Sequence, residues 1–141
     1  MAVIERLRKL VGLETHDRVV DVMADVLRGK HWTVDRDAHF GAARPDIVAH
    51  DPSGATYVIE VKAGTKRGYL GVVAQVEHYK SLMADALGRE PTAILLLTDD
   101  APMELDEIAQ SAGVELIRAS SGSPAAVRAS LATLPVGTVA A

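Results

Sequence analysis

The stretch PDIVAHDPSGATYVIEVK, residues 45–62, decides the fold of this chain. Two apolar segments flank an Asp-Pro-Ser-Gly sequence that is typical of a hairpin turn. With the turn centred on Ser53, residues that face each other have numbers adding to 106, which pairs Asp46 with Glu60. Because side chains alternate across a strand, Glu60 and Lys62 share one face. The stretch therefore predicts an antiparallel hairpin with two carboxylates and an amine together at its open end.

The rest of the chain extends this hairpin into an α/β domain. Apolar periodicity predicts the following elements in order: a helix over 15–28 that ends near Gly29, preceded by a shorter helical pattern interrupted at Gly12; extended segments over 31–40, 45–50 and 55–63; a helix over 72–87; a strand over 93–98; a helix over 104–112; and a strand over 113–117. This order predicts a mixed sheet flanked by helices, with an αβββαβ core followed by an extra helix and strand. We expect one domain over residues 1–119 and a loosely docked, small-residue tail over 120–141.

Composition excludes several classes of protein. The 141 residues include no cysteine, so zinc-finger, iron–sulfur, thiol-nucleophile and disulfide-framework readings are all ruled out. The longest apolar run, residues 93–97, is far shorter than the roughly 18 residues that a membrane span requires. The charged N-terminal segment does not resemble a signal peptide. These features predict a cytoplasmic protein that does not bind membranes.

Charge is distributed unevenly along the chain. The whole sequence carries 15 basic and 19 acidic residues, a formal charge of −4. From Arg28 to Lys80, however, eight basic residues oppose six acidic ones, and four of the five histidines lie in the same segment. We therefore expect any anionic ligand to bind in this middle third.

The three polar side chains at the hairpin's open end suit phosphodiester hydrolysis. Carboxylates that face each other destabilise a sheet unless a positive charge compensates them. Mg²⁺ does so naturally, because it takes one or two carboxylates and keeps positions open for water and a phosphate oxygen. Lys62 could pair with that phosphate or orient the attacking water. On its own, the tripeptide Glu60-Val61-Lys62 carries almost no information, because an ordinary solvated hairpin can contain the same residues. Only its combination with Pro45-Asp46, the turn and the following helix favours this chemistry.

Pro45-Asp46, placed fourteen residues before Glu60-Val61-Lys62, resembles the PD-(D/E)xK signature of restriction-endonuclease-like nucleases. The core of that family follows the predicted order of elements over about residues 14–119. The resemblance implies a Mg²⁺-dependent DNA nuclease, with Mn²⁺ as a substitute ion. It assigns metal binding to Asp46 and Glu60 and a catalytic role to Lys62.

Two helices extend the resemblance. Gln75 and Tyr79, four residues apart, are similar to the Gln-x-x-x-Tyr element of RecB-like and related DNA-repair nucleases, which implies that Gln75 lines the active site. Core packing is the simpler explanation for Tyr79. Many family members also bring an acidic residue from the first helix to the metal, and Glu14, His16 and Asp17 all remain open for that position.

The nucleic-acid partner is predicted to be duplex or branched DNA. Lys66 and Arg67 follow the Glu60–Lys62 strand and are candidate phosphate contacts, although solvated loop charge explains them equally well. Aromatic residues form only 4% of the chain, too few for the stacking platforms of single-strand binders. Because two cuts in a duplex usually need two sites, we also predict a homodimer.

Two alternatives stay open at this point. The chain could be a catalytically inactive nucleic-acid-binding or assembly module that kept the nuclease fold, an interpretation that the acidic pI of about 5.7 favours. It could also be a plain α/β interaction domain. The sequence leaves undecided whether the enzyme would be an endonuclease or an exonuclease, whether one or two metals bind, which DNA structure or sequence it prefers, and whether the domain acts alone.

Overall fold

The computed structural model describes residues 2–62, 69–98, 102–119 and 124–132, with side chains from residue 16 onward apart from 69, 70, 124 and 131. Within these described residues, four helices and five strands follow in the order α1 (Ala2–Gly29), β1 (Thr33–Asp35), β2 (Ile47–His50), β3 (Thr56–Lys62), α2 (Tyr69–Leu87), β4 (Thr92–Leu97), α3 (Glu104–Ser111), β5 (Val114–Arg118) and α4 (Pro124–Ala132). No helix within these residues is both long and apolar enough to cross a bilayer.

The five strands form one mixed sheet whose spatial order equals the chain order. Strands β1, β2 and β3 are antiparallel neighbours, whereas β3, β4 and β5 run parallel. The parallel pairs need crossover connections, which α2 and α3 supply. The prediction of an α/β mixed sheet flanked by helices is confirmed.

Two apolar clusters cover the two faces of the sheet. On one face α1 packs with Val19, Met23 and Leu27 against Ile59 and Ile94 of the strands. The other face packs against α2 and α3. The alternation along β3 divides its residues between the clusters: Ile59 and Val61 face α1, and Val58 faces α2. Glu60 and Lys62 therefore lie on the α2 face of the sheet.

Two expectations for the first third of the chain were wrong. Helix α1 runs through Gly12 without a break, because one glycine in a helix interior lowers stability by only about 1 kcal/mol relative to alanine. Strand β1 covers three residues and does not extend to Phe40. Beyond Asp35 the chain turns, and Gly41 adopts a positive φ of 63° in a small turn between Phe40 and Ala43. Residues 36–46 thus form a loop that leads into β2.

The C-terminal helix is packed more closely than the sequence suggested. Val127 of α4 is fully buried in the cluster that contains α1, and Ser130 Oγ donates a hydrogen bond to the Arg118 carbonyl at 3.1 Å. Small residues allow this close approach, so residues 124–132 do not form a loosely docked tail. The division of the chain at residue 119 stays a prediction.

Candidate active site

The register of the hairpin brings Asp46 and Glu60 together. Ile47 pairs with Ile59, which makes Asp46 and Glu60 the next facing pair toward the open end. The Asp46 backbone N–H donates to Glu60 Oε1 at 2.9 Å, and the Val61 N–H donates to Asp46 Oδ2 at 2.8 Å. The predicted pairing of the two carboxylates is confirmed, because turn length and strand alternation together fix the register.

Burial and proximity give the two carboxyl groups opposite proton affinities. Glu60 is 5% exposed, and burial, followed by its hydrogen bond and repulsion with Asp46, raises its pKa to about 8. Burial also acts to raise the pKa of Asp46, but hydrogen bonds from His16, Glu60 and the Val61 N–H hold it below its ordinary value. At neutral pH the pair therefore carries about one negative charge and one proton.

Helix α1 brings His16 to this pair. Its Nε2 lies 3.2 Å from Asp46 Oδ2, and its Nδ1 lies 3.3 Å from Asp17 Oδ1. The hydrogen bond with Asp46 outweighs partial burial and raises the pKa of His16 to about 9. Among the first-helix residues left open by the sequence, His16 contacts Asp46. Asp17 is exposed and reaches the site only through His16, and the side chain of Glu14 lies outside the described residues.

Lys62 lies two residues after Glu60, on the same face of β3, and is half-buried. Its positive charge acts to lower the pKa of Glu60, although burial and Asp46 have the larger effect. Its backbone carbonyl accepts a hydrogen bond from the Thr98 N–H at 3.1 Å, which holds the end of β3 beside β4. The amine thus occupies the same end of the sheet as the two carboxylates.

Gln75 and Tyr79 form a hydrogen-bonded pair on α2. Gln75 is exposed and donates from Nε2 to the Tyr79 hydroxyl at 2.8 Å. Tyr79 is buried in the cluster on the α2 face, as core packing predicts. Burial, followed by the negative charges of Glu60 and Asp46, raises the pKa of Tyr79. Tyr79 therefore lies near enough to the carboxylates to feel their charge, and Gln75 is connected to them through its hydrogen bond with Tyr79.

The other predicted DNA contacts, Lys66 and Arg67, lie outside the described residues. Two different arginines, Arg36 and Arg44, line a cleft beside Asp46. The sequence showed only an excess of basic residues in this segment. The only sequence signal for a role of Arg44 was its position two residues before Asp46.

The donor set suits a hard divalent cation held in part by water. Within the residues that the structure describes, no group of three or more His, Asp, Glu or Cys side chains is arranged to hold a metal. Two carboxylates nevertheless match Mg²⁺, which usually binds one or two carboxylates and retains several waters. The raised pKa of Glu60 means that its negative charge is poorly compensated by the protein alone.

Comparison with known proteins identifies the fold. No protein-family model and no curated protein matches the chain. Among solved structures, an EndoMS–dsDNA complex matches with a TM-score of 0.52 and 20% sequence identity, over 70% of this chain and 40% of that chain. A repair endonuclease from Pyrococcus abyssi matches with a TM-score of 0.55 and 16% identity, over 70% of this chain and 46% of that chain. The chain thus spans less than half the length of either protein and shares its fold.

Proposed function

We propose that this chain is a Mg²⁺-dependent deoxyribonuclease of the PD-(D/E)xK type, in which Mn²⁺ can replace Mg²⁺. One observation carries the proposal: the half-buried carboxylate of Asp46, directly before β2, and the buried carboxyl of Glu60 in β3 meet at the open end of the hairpin, with Lys62 on the same face as Glu60. An arrangement of like charges that lowers stability is retained where a site needs it. The fold shared with an EndoMS–dsDNA complex and a repair endonuclease supports DNA as the substrate.

The residues have distinct roles in this proposal. Asp46 and Glu60 would hold the cation, with Glu60 in its ionised form because a carboxyl ligand must be deprotonated. The bound ion supplies a positive charge that polarises the phosphate and lowers the pKa of water. Lys62, as an ammonium, donates a hydrogen bond that orients the attacking water and stabilises the negative charge that develops on the phosphate. His16 fixes the rotamer of Asp46, and Gln75 lines the outer edge of the site through Tyr79.

The substrate is duplex or branched DNA in repair, recombination or defence, cut by two copies of the chain. A single domain of this size covers a narrow part of a duplex, so a homodimer would place two sites on the two strands. Sedimentation at micromolar concentration checks this part of the proposal. A monomer mass would contradict the dimer and leave the chemistry unaffected.

Nuclease assays with a panel of DNA structures test the chemistry. Linear, nicked, mismatched, forked and four-way substrates are incubated with Mg²⁺, with Mn²⁺ and with EDTA. We expect cleavage with either ion and none with EDTA. Asp46→Asn should abolish cleavage, whereas Asp85→Asn, the same change at an exposed position on α2, should leave it unaltered. Absence of cleavage of every substrate by the unaltered chain would refute the proposal.

The second candidate is a nucleic-acid-binding module without catalysis. The contact between His16 and Asp46 favours it, because a protonated imidazole can neutralise Asp46 in place of a cation. This candidate predicts DNA binding without cleavage, unaffected by Lys62→Ala or by EDTA.

A further inference from the structure

A cleft lies beside the carboxylate pair, between α1 and the loop of residues 36–46. Its volume is about 310 Å³, near the lower end of the roughly 300–1,000 Å³ that ligand sites occupy. One wall comes from α1 and the other from the loop. The lining residues that carry the argument are His16, Asp17, Arg36, Asp37, Arg44 and Asp46.

The two arginines of the cleft differ in how they are held. Arg36 pairs with Asp21 of α1 across the cleft, so its guanidinium is tethered. Arg44 is exposed and makes no hydrogen bond or ion pair with any residue in the described part of the chain. An unpaired guanidinium beside a buried carboxylate pair is available to an anion from outside.

Two of the three acidic residues of the cleft already have hydrogen-bond partners. Asp17 contacts His16, and Asp46 accepts hydrogen bonds from His16 and the Val61 N–H. Asp37 is exposed, and its carboxylate opposes an incoming anion from the same wall as Arg44. The wall therefore carries one available positive and one available negative charge, whose effects on ligand binding have opposite signs.

A phosphodiester backbone matches this charge pattern and its location. Guanidinium groups bind phosphate through two parallel N–H donors, which an exposed and unpaired Arg44 can offer. A nucleic-acid strand that presents one phosphate to Asp46 and Glu60 carries another phosphate one nucleotide away along the same strand. Arg44 precedes Asp46 by two residues and lines the same cleft, so it can reach that neighbouring phosphate.

We propose that the cleft between α1 and residues 36–46 is a phosphate subsite, in which Arg44 binds the backbone phosphate next to the one at Asp46 and Glu60. The location of the scissile phosphate rests on the proposed function. Binding of backbone phosphate by Arg44 does not, and it can be measured without cleavage. The contact is to backbone, so it holds the strand in position and reads no base.

Salt-dependent binding tests the subsite. Fluorescence anisotropy measures the affinity of the full chain for two fluorescein-labelled 20-base-pair duplexes of different sequence, in Ca²⁺ and in EDTA, at several salt concentrations. Arg44→Gln should weaken binding roughly tenfold and equally for both duplexes. It should also reduce the slope of log K against log salt by about 1, the loss of one phosphate contact. Asp37→Asn should tighten binding by removing the opposing charge.

The matched control is Arg89→Gln. Arg89 is also exposed but bonds the Gly54 carbonyl and Thr56 at the turn end of the same hairpin, far from Asp46. Equal affinities and slopes for the Arg44 and Arg89 variants would overturn the subsite, and so would absence of duplex binding by the unaltered chain. A selective Arg44 effect without any cleavage in Mg²⁺ would support the subsite and refute the nuclease. Cleavage in Mg²⁺ with no selective effect of Arg44→Gln on binding would support the nuclease and refute the subsite.

Discussion

The two ends of the β2–β3 hairpin each hold a buried carboxyl group, and the chain treats them in opposite ways. At the turn end Asp51 is 4% exposed, and at the open end Glu60 is 5% exposed. Both side chains are thus equally shielded from solvent, although Glu60 has more protein around it than Asp51 has. The pKa of Asp51 is nevertheless lowered, whereas that of Glu60 is raised.

Besides this difference in surroundings, the hydrogen-bond partners of the two carboxyl groups differ. Asp51 Oδ1 accepts hydrogen bonds from the Ser53 N–H at 2.9 Å, the Ser53 hydroxyl at 2.5 Å and the Ala55 N–H at 3.0 Å, and its Oδ2 accepts one from the Tyr57 hydroxyl at 3.1 Å. Burial acts to raise the pKa of Asp51, and these four donors outweigh it. Glu60 faces the carboxylate of Asp46, and it accepts one hydrogen bond, from the backbone N–H of Asp46. A buried carboxylate with its donors supplied stabilises a turn, and one without them is available to a cation.

Of the substitutions considered, Glu60→Gln should have the largest effect on cleavage and should leave stability unharmed. The amide oxygen can still accept from the Asp46 N–H, so we expect an unchanged or higher melting temperature, since a carboxyl that resists ionisation has been replaced by a neutral group. Loss of a cation ligand removes several kcal/mol of transition-state stabilisation, which corresponds to a cleavage rate lower by about 10³-fold or more. Calorimetry and a nuclease assay measure the two quantities. Glu77→Gln, at an exposed position on α2, is the control, and a clear fall in the melting temperature of Glu60→Gln alone would contradict the argument.

Asp51→Ala should show the opposite pattern. It leaves the Tyr57 hydroxyl and two backbone N–H groups of the turn without their acceptor, so we expect unfolding free energy to fall by about 3 kcal/mol. Denaturant unfolding measures the loss. Asp51→Asn retains one carbonyl oxygen and should lose less. Cleavage per folded molecule should stay within a factor of two or so, and a catalytic defect as large as that of Glu60→Gln would show that the two ends are not independent.

Lys62→Met should separate binding from catalysis at the open end. General acid–base and proton-orienting groups typically contribute about 10²–10⁴-fold, so we expect cleavage to slow by about 10²-fold at saturating Mg²⁺. The apolar stem of Lys62 is retained in size, which should leave the melting temperature close to that of the unaltered chain. Titration of Mn²⁺ followed by calorimetry should give unchanged cation affinity. A rate equal to that of the unaltered chain would remove Lys62 from the mechanism.

Acid should weaken the turn end in a defined pH range. The folded-state pKa of Asp51 lies below its unfolded value near 3.9, so its contribution to stability is fully present above about pH 4. It is lost as pH falls through the folded-state value. The stability difference between the unaltered chain and Asp51→Asn should therefore be constant from pH 5 to 7 and shrink below about pH 4. A difference that stays constant down to pH 2 would show that the Asp51 carboxylate is not held in its ionised form.

The hairpin and its carboxylates could be predicted because local rules determine them. A short turn fixes the register, strand alternation places Glu60 and Lys62 on one face, and the apolar stripe around Val76 and Met83 marks α2. These features depend on residues near one another in the chain, which sequence patterns report directly.

Features that depend on packing between distant segments were not predictable in the same way. His16 contacts Asp46 across 30 residues, and this contact depends on how α1 is rotated against the sheet. The burial of Val127 also follows from tertiary packing. The Arg36 and Arg44 cleft exists only because the 36–46 loop folds back toward α1.

The short separation of Asp46 and Glu60 has a kinetic consequence. They are 14 residues apart and meet when one hairpin closes, whereas the parallel pairing of β3 with β4 joins residues about 35 apart and requires α2 as a crossover. Hairpins close within about 1–10 μs, well before long crossovers are complete. We therefore expect the carboxylate pair to be among the earliest contacts of the refolding chain, with His16 joining it when α1 docks.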